Sequence, residues 1–235
     1  MDETSMLFWY PKIKSLPIPQ PKTEILEIGD EMTSSEFLIN NKLNDYKDEI
    51  EKIADKLNYP LFVRTDQASA KHGWEKTCFV KTKENLMANI ERTIEFGFLA
   101  DILGLDATAL VFREYIEMDS KYTAFYGKMP VCPERRYFIK DGKIICHHEY
   151  WITDAIANPS VENWEELSNE MNKETQSEIT TLSSCAQKVA NIMPDFWSVD
   201  FCLSKSKTWY LIDMAKGERS WHKKECVNSW MTKKS

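Results

Sequence analysis

Two aspartates toward the C-terminal end have the spacing that says most about chemistry. They lie in two strand-forming stretches, FWSVDFCL and TWYLIDMA, joined by the polar link SKSK. If Ser206 and Lys207 form the centre of the turn, Asp200 faces Asp213, with Cβ atoms ~5 Å apart on one side of the sheet. Val199, Phe201, Leu211 and Ile212 around them are apolar, so two like charges project from a mostly buried ribbon. A shared Mg2+ accounts for that arrangement, because this ion is held by one or two carboxylates plus the phosphates of its ligand. A turn with an odd number of residues would instead slip the register and leave two unrelated aspartates.

A second charged group sits on the hairpin ERRYFIKDGKIICHHEYW, whose Asp141-Gly142 pair suits a type I′ turn. Regular pairing around that turn sets Glu134 opposite Glu149 and Arg136 opposite His147, on the same side as Phe138 and Ile145. Such a cluster is either a surface ion-pair group worth under ~1 kcal/mol or a planar guanidinium fork aimed at a phosphate. Upstream, Arg64, Asp66, Ser69 and Lys71 occupy a polar segment between the apolar run Leu61-Phe62-Val63 and a strand pattern over Thr77 to Lys81. Strand, polar loop, strand is the layout of a flap that covers phosphates. No G-x-x-x-x-G-K-[ST] occurs, which excludes a Walker-type loop. Arg113 and Glu114 follow the apolar run ATALVF and mark an exit from a core toward a cleft.

These residues need elements to hold them. Residues 10 to 22 carry four of the nine prolines and read as an extended arm. Phe37, Leu38, Leu43, Ile50, Ile53 and Leu57 recur at helical spacing, which predicts a helix over 34–57 capped by Ser34 or Ser35. Thr82 caps a long predicted helix through Leu86, Ile90, Ile94, Phe98 and Ile102 that stops at Gly104. Ala109 to Ile116 reads as a strand crossing between two lobes, and residues 160 to 193 as one or two helices. The tail from Lys216 is basic and reads as loop plus a short helix.

Composition bounds the function. Apolar residues make up 43% of 235 and charged residues 29%, enough for a real core in one large domain or two lobes. The net charge of −7 counts against a nucleic-acid platform. No run is apolar for the ~18 residues of a membrane helix. The acidic start has no apolar h-region, so no secretory signal is expected. Six scattered cysteines without a CxxC pair read as free thiols in a reducing cytoplasm.

Taken in order, VRTDQASAKHGW, LVFREYIEM, ERRYFIKDGKIICHHEYW and SVDFCL…TWYLIDMA resemble the ATP-grasp superfamily. The likeness is greatest to the cell-division-cycle-type proteins and their phage and bacterial relatives, in which Arg replaces the first Lys. It spans residues 60 to 217. The resemblance implies an α+β ATP-grasp fold: two α+β lobes with antiparallel sheets enclosing a nucleotide cleft. The expected division is an arm and helix over 1–58, a smaller nucleotide-covering lobe over 59–108, and a larger lobe with metal site and basic tail over 109–235.

The same resemblance implies ATP and Mg2+ as cofactors. It gives Arg64 the place of the first nucleotide-binding lysine, and Lys71 a place in the flap over the phosphates. Arg113, Glu114, Tyr115 and Ile116 become the linker along which adenine lies. Arg136 would meet the triphosphate, with Glu134 supporting it, and Asp200 and Asp213 would hold the metal. Lys71 and Arg136 are then the residues expected to serve catalysis. Two departures stand out: Ala215 occupies the position of a metal-binding Asn, and only Gly73 remains of a glycine-rich flap.

The activity implied is an ATP-dependent ligase that activates a carboxylate as an acylphosphate for attack by an amine or other nucleophile. The acceptor is not readable. His72, His147, His148 and His222 are the candidate bases, each with a packing role as the alternative, and Lys216 and Arg219 could grip an anionic acceptor. Relatives also include an assembly chaperone for a translation factor, so nucleotide binding without turnover, with a protein partner, is the second reading. A nucleic-acid-modifying enzyme is the third. It would use Lys205, Lys207, Lys216, Arg219, Lys223, Lys224, Lys233 and Lys234 with Trp209, Trp221 and Trp230.

Overall fold

The computed structural model describes residues 2–101, 106–223 and 226, with the side chains of 99–101 left out. Its elements in chain order are α1 (Met6–Ile13), β1 (Thr23–Glu27), α2 (Glu36–Ile39), α3 (Lys47–Leu57), β2 (Leu61–Thr65), β3 (Phe79–Val80), α4 (Leu86–Asp101) and β4 (Ala109–Glu114). There follow β5 (Tyr122–Ala124), β6 (Met129–Val131), β7 (Glu134–Lys140), β8 (Lys143–Glu149), α5 (Trp164–Met171), α6 (Gln176–Ala190), β9 (Phe196–Leu203) and β10 (Trp209–Lys216). The chain divides into two units. The first comprises 1–7, 21–116 and 124–129, and the second 8–20, 117–123 and 130–235.

The first unit is built on an antiparallel sheet of order β1-β4-β2-β3. Side chains alternate across it, so Leu26, Leu61, Val63, Val80, Leu110 and Phe112 share one face and bury against Ile50 and Ala54 of α3 and Leu86, Ile90 and Ile94 of α4. At ~25 cal/mol per Å² of apolar surface, that shared core is the main force fixing the helices to the sheet. β4 is therefore an inner strand of this sheet rather than a crossing between lobes. That places 109–116 with the first unit, a different division from the one expected.

The second unit carries the antiparallel sheet β10-β9-β7-β8. One face packs on α6, which begins with a capping box: Glu178 N–H donates to the Thr175 side chain, and Glu178 accepts from the Thr175 N–H. Trp197 is fully buried on this side, stacked on Phe8 of α1 at 6.1 Å. α6 and α5 confirm two helices within 160–193.

Several expectations are corrected. Residues 6–13 form a helix that contains Pro11, so the arm starts only after Ile13. The helix expected over 34–57 is broken. Asn41 adopts a left-handed φ of 53°, ending α2 before α3 starts at Lys47. The expected stop at Gly104 lies outside the described residues. No helix among the described residues is long and apolar enough to cross a membrane. All six cysteines are unbridged, and burial pushes the Cys78 thiol up to about 12.

Candidate functional site

In the second unit, strand pairing aligns Asp213, Asp200, Arg136 and His148 in one row across the four strands. Residues directly opposite in antiparallel strands point to the same face, so this row is a line of charge on the face away from α6. Asp200 faces Asp213 as expected, but by another route. Leu203 pairs with Trp209, so the loop between them has an odd number of residues, and a bulge at Ile212 restores the register at Asp213.

In the first hairpin, Ile139 pairs with Ile144, but a bulge at Ile145 moves the pairing by one beyond it. Arg136 therefore faces His148, not His147, and Glu149 faces Arg135, not Glu134. The extra residue also turns His147 onto the other face. There it stacks on Tyr137 at 4.7 Å, with Nε2 3.2 Å from Glu174.

Arg136 is paired with Asp200 within the row. Its Nε and Nη2 donate to the two oxygens of Asp200 at 2.8 and 2.7 Å, a bidentate fork. Both side chains are nearly buried, 12% and 6% exposed. The guanidinium also lies 4.5 Å from the ring centre of Tyr150. Burial works against its charge, but the Asp200 carboxylate outweighs it, helped by Tyr150 and Asp213, and the Arg136 pKa stands above its ordinary value. Glu134 is buried and accepts from the Trp151 indole at 3.0 Å.

In the first unit, Arg64 and Arg113 lie on the sheet face opposite the helices, together with Phe62, Phe79 and Val111. Arg64 Nε donates to the Thr65 carbonyl at 3.0 Å, and Arg113 Nε to Thr23 Oγ1 at 3.2 Å. Both arginines are buried. Lys71 opens a short 3-10 stretch, Lys71–Lys76, entered through Ala70 at a left-handed φ of 49°. Trp74 of that stretch stacks on Phe79 at 5.6 Å, and Tyr115 lies 4.9 Å from Phe79. Phe62, Trp74, Phe79 and Tyr115 thus form an aromatic surface beside Arg113 that the sequence reading missed. Its signal was available, since Phe62 and Phe79 fall on the strand positions that alternate with the core residues.

Glu114 accepts from the Lys22 N–H at 2.9 Å, which ties the end of β4 to the segment before β1. Ile116 follows β4 and is half-buried. Asp66 is structural: it accepts from Ser5 Oγ and from the Thr108 and Ala109 amides, at 2.5, 3.0 and 3.1 Å.

A family model, the ATP-grasp domain of the R-2-K clade, family 3, matches residues 52–232. The chain belongs to that ATP-grasp family. No curated protein matches its sequence. Among solved structures, C-terminally truncated Cdc123 from Schizosaccharomyces pombe aligns with a TM-score of 0.60 at 14% identity, over 91% of this chain and 83% of that one. A second structure of Cdc123 from the same organism aligns with a TM-score of 0.57 at the same identity and coverage. VanG D-Ala:D-Ser ligase from Enterococcus faecalis aligns at 0.49 and 14% identity, over 91% of this chain and 52% of that one. Together with the family match, the two Cdc123 alignments show the fold alone, the ATP-grasp fold with its α+β make-up and antiparallel sheets.

Most of the other candidate cations of this ATP-grasp protein are held in ion pairs. Lys216 pairs with Trp197 on the face opposite Asp213, with its ammonium 4.6 Å from the indole and 3.5 Å from Asp195. Arg219 is exposed. Lys205, Lys207 and Lys223 are bound to Glu117, Asp119 and Glu149. Each described lysine of the supposed basic groove is therefore paired with an acid. Lys224, Trp230, Lys233 and Lys234 lie outside the described residues.

His72 stacks on Phe125 at 4.1 Å, and His222 lies edge-on to Phe138 at 4.3 Å. Burial lowers the His148 pKa, the Glu149 carbonyl opposes that, and the charge of Arg136 lowers it further.

Proposed function

We propose that this ATP-grasp protein is an ATP- and Mg2+-dependent ligase that joins a carboxylate to an amine or other nucleophile. The row Asp213–Asp200–Arg136 on one sheet face is the observation that supports it. Its donor set fits Mg2+: two carboxylates stand opposite each other, and each oxygen of Asp200 keeps a lone pair beyond the one Arg136 uses. When bound, the ion would neutralise phosphate charge. Ala215 adds no donor, so solvent or phosphate oxygens complete the shell.

Each residue then has a task. Asp200 and Asp213 hold the metal, and Asp200 fixes the Arg136 fork so that its remaining N–H groups meet phosphate oxygens. Glu134, anchored on Trp151, steadies the start of β7. Arg64 and Lys71 supply positive charge to the triphosphate. Arg113 to Ile116 present their backbone to adenine, and the aromatic surface around Phe79 shields the ring. A substrate carboxylate oxygen attacks the γ-phosphorus, the bond to the β-phosphate oxygen breaks and ADP leaves. The acceptor then attacks the acyl carbon, expelling phosphate and giving its proton to solvent. The protein contributes positioning and fixed charge to both steps.

Two features favour a second reading, nucleotide binding without turnover in support of a protein partner. Ala215 leaves the metal shell short of a side chain, and each of the four histidines lies against an aromatic ring. The neutralised lysines disfavour a nucleic-acid acceptor. The unbridged thiols suit the cytoplasm.

Incubation with Mg-ATP, pooled carboxylic acids and hydroxylamine separates the two readings. A ligase gives a hydroxamate and an equal amount of ADP, because hydroxylamine intercepts the acylphosphate. Nucleotide binding with no ADP release across the pools would overturn the ligase in favour of the second reading.

A further inference from the structure

A second cluster on the same unit has different chemistry. The donor atoms of Cys146, His222 and Cys226 lie within 4.8 Å of one another, and Cys146 Sγ is 2.8 Å from His222 Nε2. Cys146 sits on β8 opposite Phe138, while His222 and Cys226 come from the segment after β10. Cys146 and His222 are 5% and 3% exposed, and Phe138, Phe196 and Ile145 surround the cluster with apolar surface. Thiols are weak hydrogen-bonding groups, so mutual hydrogen bonding is a poor reason to gather two of them with an imidazole in an apolar setting.

Two sulfurs and one imidazole nitrogen are the donor set of Zn2+, whereas Mg2+ takes oxygen. Zn–S and Zn–N bonds of about 2.3 and 2.0 Å put tetrahedral ligand atoms roughly 3.5–3.8 Å apart, which small side-chain shifts in this cluster would reach. We propose that Cys146, His222 and Cys226 form a zinc site that clasps the segment after β10 onto β8, with water or a further group of the chain as fourth ligand. The clasp holds the Trp221 carbonyl near Arg136, whose Nη1 is 3.4 Å away, and backs the 2.7 Å contact between the Ser198 and Ser220 hydroxyls. The site stands whether or not the protein binds nucleotide.

The test is metal content and cobalt substitution on the full chain, prepared without a histidine tag. After removal of loosely bound metal, one equivalent of zinc per chain is expected. Co2+ in its place should give the intense near-ultraviolet absorption of thiolate ligation. Cys146→Ser and Cys226→Ser should each remove the zinc equivalent and that absorption. Cys226 is only partly buried, so its variant keeps the fold, as circular dichroism will verify. Cys132→Ser should retain the metal, although Cys132, Glu134 and Cys202 form a second buried group of potential ligands. Asp213→Asn should retain it too, which separates this site from the nucleotide site. A folded protein that binds no zinc, a Cys226→Ser variant that keeps the full equivalent, or loss of zinc in Cys132→Ser but not in Cys226→Ser would each overturn the proposal.

Discussion

Arg136→Met should lower the unfolding free energy by about 3–5 kcal/mol in urea, the usual cost of breaking a buried ion pair from one side. The substitution leaves Asp200 almost fully buried, directly opposite Asp213, with no guanidinium beside it. Two consequences distinguish this from ordinary loss of packing. Millimolar Mg2+ should return part of the lost stability to Arg136→Met and add less to the wild type, because only the variant has lost the cation at Asp200. The double variant Arg136→Met with Asp200→Leu should regain most of the stability, since apolar residues of similar volume often replace a buried pair without penalty. It should nevertheless fail to bind Mg-ATP. A single variant as stable as wild type would show that the fork contributes nothing to the fold.

Gly127→Ala should weaken Mg-ATP binding by about tenfold or more while leaving the second unit folded. A Cβ at Gly127 would stand 2.4 Å from the Gly73 carbonyl carbon, 2.4 Å from the His72 oxygen and 2.6 Å from the Trp74 nitrogen. All three are backbone atoms of the stretch that begins at Lys71, so that stretch must move. Overpacking of this kind costs about 1–3 kcal/mol, and where the nucleotide draws the stretch back to its wild-type place that cost falls on binding, about 1.4 kcal/mol per tenfold in affinity. The hydrogen bonds from Gly127 N to His72 O and from Glu75 N to Gly127 O would be lost with it. Gly97→Ala is the control. On α4 its Cβ would meet only Thr65 Cγ2, at 3.6 Å, so the variant should bind as wild type and be slightly more stable. Equal binding by Gly127→Ala and Gly97→Ala would show that the placement of this stretch does not govern nucleotide binding.

Much of the second sheet was legible because strand patterns and turn residues are local signals. Asp141 and Gly142 have positive φ of 48° and 78°, as a type I′ turn requires, and the hairpin forms where the sequence put it. The bulges were not legible. Ile145 and Ile212 are β-branched residues with nothing in their type to mark an extra residue in a strand, and each shifts every pair beyond it. For Asp200 and Asp213, an unforeseen odd loop and an unforeseen bulge cancel, so the expected pair forms. For Arg136 a bulge stands alone, and its partner changes from His147 to His148. The fork between Arg136 and Asp200 was hidden for a related reason. It joins β7 to β9, which are not neighbours in sequence, and no hairpin arithmetic reaches across that pairing. Pro11 misled in the other direction, because a proline in a short helix leaves few backbone bonds to lose.

The proposed function rests on the aspartate pair as the metal holder of a nucleotide site. Calorimetric titration of ATP tests it most directly, run with Mg2+, with EDTA, and on Asp213→Asn. Asp213 is the acid to replace because Asp200 also secures Arg136, so Asp213→Asn leaves the ion-pair fork intact. The wild type should bind in Mg2+ and lose most of that binding in EDTA, and a folded Asp213→Asn variant should show the same loss. Binding of equal strength in Asp213→Asn, or none in the folded wild type, would contradict it.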